Sequence, residues 1–100
     1  MTKEEILDLI QDNDVVILKF SASWCGPCRA MEPVIEKVSK EFDGKARILS
    51  LDVDEEADIA SYYKIRSVPT MLYFKGGELK DKSVGAIPEN DLINRINSLT

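Results

Sequence analysis

The chain has 100 residues, of which 44% are hydrophobic and 31% are charged, and its formal net charge is −5. This length predicts a single domain over residues 1–100, and the acidic balance argues against nucleic acids and anionic membrane surfaces as partners. No apolar run approaches the roughly 20 residues that span a bilayer, and "MTKEEILDLI" lacks a signal-peptide pattern. We therefore expect a cytoplasmic protein, and we take a monomer as the default expectation.

Helix-like and strand-like segments alternate along the chain, which is typical of an α/β domain. Thr2 and Glu5 form a T-x-x-E capping box, which predicts a first helix up to about Gln11. The nearly all-apolar run from Val15 to Phe20 predicts a central strand that is covered on both faces. After the cysteine segment a second helix is indicated up to Gly44, because apolar residues recur at helical spacing: Met31, Val34, Ile35, Val38 and Phe42.

The second half of the chain continues the alternation. Ala46–Val53 predicts a second strand, and Asp54 is a suitable N-cap for a third helix through about Tyr63. Thr70–Phe74 predicts a third strand, followed by a hairpin turn and a fourth strand that ends near Val84. Pro88 fits the first turn of a last helix through Leu99, with inward-facing side chains at Leu92, Ile93, Ile96 and Leu99.

The only two cysteines, Cys25 and Cys28, lie where the central strand gives way to the second helix. The positive end of a helix stabilises a thiolate, and this spacing allows a disulfide at the helix start. Gly26 permits a close approach there, and Pro27 is tolerated in a first helical turn and stiffens the ring. We expect an exposed, attacking Cys25 and a shielded, resolving Cys28, so the pattern favours a reversible disulfide.

Two other interpretations of the cysteine pair are open at this point. A CxxC segment can be half of a zinc site, but the chain has no histidine and no third cysteine to complete four ligands. The pair can also be two inert core thiols. The glycine–proline insertion and the position at a helix start argue against this interpretation. No cofactor or metal site is predicted.

The segment Trp-Cys-Gly-Pro-Cys at residues 24–28 resembles the active-site motif of thioredoxins. The similarity covers essentially the whole chain and includes Phe20, Ala22, Pro33, Asp54, the Val-Pro-Thr segment at 68–70, Phe74, Gly77 and Gly85. The resemblance implies a thioredoxin fold, with a mixed four-stranded sheet flanked by about four helices. Its expected strand order is Ala46–Val53, Val15–Phe20, Thr70–Phe74, Glu78–Val84.

The resemblance also implies an activity. A thioredoxin is a thiol–disulfide oxidoreductase that reduces disulfides in client proteins and is re-reduced by a thioredoxin reductase. A disulfide isomerase or oxidase is an alternative, although such relatives usually carry a histidine in the dipeptide and are exported. A non-catalytic binding module is another alternative, and the intact Cys25 and Cys28 argue against it.

The family's substrate site maps onto specific positions of this chain. Pro69 is implied to be a cis-proline opposite the cysteines, with the backbone of Val68 available to pair with an extended client segment. The implied client-binding groove comprises Trp24, Gly26, Pro27, Val68, Pro69, Gly85 and Ala86. The simpler alternatives are a trans-proline at Pro69, a strand-end glycine at Gly85 and a core tryptophan at Trp24.

Two departures from the family pattern affect these expectations. The usual first edge strand is expected to be absent, which leaves Ala46–Val53 as an edge that Arg47 and Asp52 would protect from pairing. The second departure is that Lys19 occupies the position of the buried aspartate found beneath the inner cysteine in the family, and Ser50 occupies that of a frequent lysine.

The exchange at position 19 suggests an ion pair of reversed polarity. On the second helix Glu32 shares a stripe with Cys28, so we predict that Glu32 meets Lys19 beneath the disulfide and takes the role of base. The alternative is that Lys19 extends to solvent and Glu32 is an ordinary solvated helix residue.

Overall fold

The computed structural model describes residues 1–100. It contains four helices and four strands, which in chain order are α1 (Lys3–Asp12), β1 (Val15–Ser21), α2 (Gly26–Glu41), β2 (Arg47–Asp52), α3 (Ala57–Tyr62), β3 (Thr70–Lys75), β4 (Glu78–Val84) and α4 (Glu89–Asn97). None of these helices has the length and apolar character needed to cross a membrane.

The strands form one mixed sheet in the order β2-β1-β3-β4, as expected. Strand β1 runs parallel to β2 and antiparallel to β3, and β3 forms an antiparallel hairpin with β4. The first six residues of β1 are buried, because this strand is interior in the sheet and both of its faces are covered. Strand β2 is at the edge, with Arg47 exposed on it.

Two apolar layers enclose the sheet, and the alternation of side chains along β1 separates them. One layer joins α1 and α3 to the face that carries Val16, Leu18 and Phe20. The other joins α2 and α4 to the face that carries Val15 and Ile17. Leu92 and Ile96 of α4 are fully buried in this second layer, with Ile93 and Leu99 packed beside them.

The first helix starts where the sequence predicted, and the third helix does not. The Thr2–Glu5 capping box is present. Asp54 is not the N-cap of α3, because Asp52 Oδ1 accepts hydrogen bonds from the backbone of Asp54 at 2.8 Å and Glu55 at 3.3 Å. This turn delays the helix to Ala57. It also gives the Asp52 side chain a role in the turn before α3, in addition to any protection of the β2 edge.

The last helix is tied to the hairpin by a buried tyrosine and a partly buried ion pair. Pro88 precedes α4 as its N-cap rather than lying within the first turn, and the helix ends at Asn97 instead of Leu99. Tyr73 is fully buried, its hydroxyl lies 2.8 Å from Ser83 Oγ, and burial raises its pKa to about 12. Arg95 lies over the Tyr73 ring and bonds Asp81 at 2.8 Å, which links α4 to β4.

Candidate active site

The cysteine pair lies at the N-terminus of α2, directly after the turn that follows β1. Cys25 is the N-cap residue, and its sulfur accepts a hydrogen bond from the Cys28 backbone N–H at 3.2 Å. Cys25 and Cys28 form a disulfide, with their Cα atoms 5.3 Å apart. Pro27 occupies the first turn of the helix, where no helical partner for its nitrogen is needed. The predicted disulfide at the helix start is therefore present.

The expectation of an exposed Cys25 is wrong for the disulfide form. Cys25 is only 5% exposed and Cys28 only 2% exposed, because Ala22, Val53 and Val68 pack around them. Cys25 remains the less buried of the two, and Cys28 is shielded as expected. The sequence could not show this, because Val68 comes 43 residues after Cys25.

The loop before β3 completes the other side of the site. The Val68–Pro69 peptide bond is cis, as the resemblance implied, and Pro69 is buried. Cys25 Sγ lies 3.8 Å from the carbonyl oxygen of Val68. The Pro69 carbonyl accepts a hydrogen bond from Gly85 N–H at 2.8 Å, which connects this loop to the end of β4. Gly85 has a φ of +90°, which favours glycine, so it is more than a simple strand end.

Trp24 is a surface residue and not a core residue. It is 68% exposed, and its indole Nε1 donates to Asp54 Oδ2 at 3.2 Å. Gly26, Pro27 and Ala86 are exposed as well. Asp54 thus positions the indole ring, a role that the sequence pattern did not reveal because it predicted a helix cap at this aspartate.

The predicted pair of Lys19 and Glu32 is present, but it has one buried and one exposed member. Lys19 is completely buried, and its ammonium lies 2.7 Å from Glu32 Oε1. The alternative of a lysine that extends to solvent is therefore wrong. Glu32 exposes 55% of its side chain, so it lies at the surface end of the pair and not at depth. The ammonium also donates to the Cys28 carbonyl oxygen at 3.1 Å, a contact that the sequence did not predict.

No group of three or more histidine, cysteine, aspartate or glutamate side chains is arranged to hold a metal ion. The chemistry that the arrangement can perform comes from the two sulfurs, the helix start that surrounds them, and the buried cation beneath.

Comparisons with known proteins agree with this geometry. The family model described as "Thioredoxin" matches residues 1–98. The chain is 46% identical over 89 residues to a thioredoxin of Chlorobaculum thiosulfatiphilum, which covers 89% of this chain and 82% of that protein. It is 42% identical over 94 residues to a thioredoxin of Synechocystis, covering 94% and 85% of the two chains.

Solved structures give the same result. A mutant thioredoxin from Halobacterium salinarum superimposes with a TM-score of 0.89 at 41% identity, covering 97% of this chain and 84% of that one. Mitochondrial thioredoxin 3 from Saccharomyces cerevisiae, in its oxidised form, gives a TM-score of 0.88 at 35% identity, covering 96% and 89%.

Proposed function

The chain belongs to the thioredoxin family and is a protein-disulfide reductase, and from this premise we propose that Cys25 is its nucleophile and Cys28 its resolving thiol. The observation that carries the assignment is the Cys25–Cys28 disulfide at the start of α2. Cys25 is the less buried residue of the two, and its sulfur accepts a backbone N–H, which stabilises negative charge on it at a helix N-terminus.

The reaction proceeds by two exchanges. The Cys25 thiolate attacks one sulfur of a client disulfide, so a mixed disulfide forms and the second client sulfur leaves as a thiolate. The Cys28 thiolate then attacks Cys25 Sγ, which forms the Cys25–Cys28 disulfide and releases the first client sulfur as a thiolate. Two electrons pass from the dithiol to the client, and water supplies the protons for the client thiolates.

The client is proposed to bind beside Val68. The Val68 backbone makes no hydrogen bond to another backbone group, so its N–H and C=O are free to pair with an extended segment. Its carbonyl oxygen is 3.8 Å from Cys25 Sγ, which brings such a segment next to the attacking sulfur. Other proposed contacts come from residues at the same end of the sheet: Trp24, Gly26, Pro27, Pro69, Gly85 and Ala86.

Glu32 is proposed to receive the proton that Cys28 loses before resolution, with Lys19 holding its carboxylate in place. The support is the continuous contact from the Cys28 carbonyl through the Lys19 ammonium to Glu32 Oε1. Because Glu32 is half-exposed, it can pass a proton to water, which the buried Cys28 cannot reach directly.

Re-reduction is proposed to come from a thioredoxin reductase, in a reducing compartment such as the cytoplasm. A reversible disulfide supports this proposal, because each turnover leaves the protein oxidised and in need of two electrons. With the purified protein, NADPH and a flavin thioredoxin reductase, we expect NADPH oxidation that depends on a disulfide client. A ferredoxin-linked donor is the alternative if NADPH oxidation is not coupled.

The experiment that tests the two sulfur roles is trapping of the mixed disulfide. Cys28→Ser leaves the attacking sulfur intact but removes the resolving one, so the variant should accumulate a covalent adduct with insulin through Cys25. Non-reducing mass spectrometry with peptide mapping measures the adduct and its position. Cys25→Ser is the matched control and should form none. An adduct of equal yield in Cys25→Ser, or none in Cys28→Ser, contradicts the assignment.

A further inference from the structure

The environment of the Lys19 ammonium is unusual for a charge that is completely buried. Its register partners on the two neighbouring strands are Ser50 on β2 and Met71 on β3, and neither is charged. The only carboxylate that bonds it is Glu32, which is itself half-exposed. The buried end of the ion pair is therefore positive, and it lies directly beneath the first turn of α2.

Other charged groups near the cysteines are occupied elsewhere. Arg29 of α2 donates to the Ser23 carbonyl at 2.7 Å, and Asp54 accepts from Trp24. Neither makes a hydrogen bond or ion pair with Lys19. The electrostatic field that acts on Cys28 from the side of the sheet therefore comes from the Lys19 ammonium, because water partly screens the Glu32 carboxylate.

The hydrogen bonds of the ammonium are incomplete in the disulfide form. A lysine ammonium has three N–H donors. Two have acceptors, namely the Cys28 carbonyl oxygen at 3.1 Å and Glu32 Oε1 at 2.7 Å. A disulfide sulfur is uncharged and a weak acceptor, whereas a buried thiolate requires a cation or donors. Reduction therefore creates an anion on the same residue whose carbonyl Lys19 already contacts.

We propose that Lys19 is a positioning residue that acts through Cys28: it stabilises the Cys28 thiolate and so determines the reduction potential of the dithiol. This inference deepens the proposed function and rests on Cys28 as the resolving thiol. When Cys28 loses its proton to Glu32, the anionic partner of the Lys19 ammonium changes from the Glu32 carboxylate to the Cys28 thiolate. The net charge of Lys19, Glu32 and Cys28 is zero before and after the transfer, so resolution requires no new buried net charge.

The two members of the pair then have opposite effects on the redox equilibrium. Lys19→Met keeps a long apolar side chain in the buried space but removes the cation. The Cys28 thiolate is then no longer stabilised, so the equilibrium shifts toward the disulfide. Glu32→Gln leaves the cation without its competing anion, so the thiolate form of the dithiol is favoured. A purely structural role would not produce shifts of opposite sign.

The experiment is equilibration of each oxidised variant with glutathione at pH 7, with the dithiol quantified by alkylation and mass spectrometry. Lys19→Met should disfavour the reduced form at least tenfold, which is about 30 mV toward a more negative potential for a two-electron couple. Glu32→Gln should shift the potential in the less negative direction. The matched controls are Lys37→Met and Glu36→Gln on the exposed face of α2, which make the same charge changes and should shift the equilibrium less than twofold.

A second readout follows Cys28 without turnover. In a Cys25→Ser background, the ultraviolet absorbance of the Cys28 thiolate against pH reports its ionisation without requiring a reagent to reach the buried sulfur. The midpoint should move to higher pH with Lys19→Met and to lower pH with Glu32→Gln. Circular dichroism checks folding. If Lys19→Met does not fold, a shift of Glu32→Gln to a less negative potential and a lower midpoint pH, larger than that of Glu36→Gln, supports the proposal, and a shift of the other sign or no larger than that of Glu36→Gln overturns it.

Opposite shifts that exceed those of the controls support the proposal. Shifts of the same sign, or shifts no larger than those of the controls, overturn it. Failure of Cys28→Ser to trap a client would instead refute the proposed function, so the two failures are distinguishable.

Discussion

Removing Glu32 should destabilise the oxidised protein much more than removing Lys19, although the two residues form one ion pair. Glu32→Gln leaves a completely buried ammonium with only the Cys28 carbonyl as a partner. Lys19→Met leaves a carboxylate that is already 55% exposed and can be hydrated, while methionine fills the space of the lysine stem. The loss in the free energy of unfolding thus depends on which of the two charged residues is left without its partner.

The magnitude follows from the geometry. Two unit charges at 2.7 Å interact by about 6 kcal/mol at an effective dielectric constant of about 20. Stranding one member of a fully buried pair costs about 3–5 kcal/mol, and an exposed pair contributes about 1 kcal/mol or less. With one buried and one half-exposed member, we expect about 2 kcal/mol for Glu32→Gln and less than about 1 kcal/mol for Lys19→Met. The double variant should resemble Lys19→Met, which gives a coupling of about 2 kcal/mol.

The assay is urea denaturation of the four oxidised proteins at pH 7, so that the same disulfide constrains every unfolded chain. Glu36→Gln on the same helix is the control and should stay within about 0.5 kcal/mol of the parent. Single-variant costs that add to within about 0.5 kcal/mol in the double variant would show that the pair is not coupled. A larger cost for Lys19→Met than for Glu32→Gln would refute the reasoning from burial.

Three further outcomes are expected. Cys25→Ser should abolish reduction of insulin, because the remaining thiol, Cys28, is buried and has no second cysteine with which to close the disulfide that ends a turnover. Residual turnover near the parent rate would contradict the mechanism. Because burial raises the pKa of Tyr73 from 10.0 to about 12, the folded protein retains a proton that the unfolded chain loses, so stability is unaffected by this group below pH 10. The free energy of unfolding should fall by about 2–3 kcal/mol as pH rises from 10 toward 12. If Tyr73→Phe shows the same fall in a denaturation series, this tyrosine is not the source of the pH dependence. Gly77→Ala should cost about 1–2 kcal/mol in urea melts, because Gly77 has a φ of +83°, which an L side chain rarely adopts. The Gln11 amide, 2.8 Å from an added Cβ, is the end of a flexible side chain and can move aside, and an unchanged midpoint would show that the turn relaxes as well.

Local chemistry in the sequence was sufficient to predict the elements and the redox pair. The apolar run at Val15–Phe20 predicted an interior strand, because only a strand covered on both faces tolerates it. The Thr2–Glu5 box predicted the start of α1 from two side chains three residues apart. The spacing of Cys25 and Cys28 predicted a disulfide at a helix start. The resemblance to thioredoxins supplied the strand order and the cis bond at Pro69, which no local pattern determines.

Only the tertiary structure decided how deeply each site residue is buried and which atoms it contacts. Cys25 is buried because Val68, distant in sequence, packs over it, and Trp24 is exposed because Asp54 holds its ring at the surface. The helical stripe placed Glu32 near Lys19 but could not show that one is buried and the other half in water, nor that the ammonium reaches the Cys28 carbonyl. The physical reason is that caps and periodicities act within a few residues, whereas burial and the partner of a buried charge arise from segments that meet only in the folded chain.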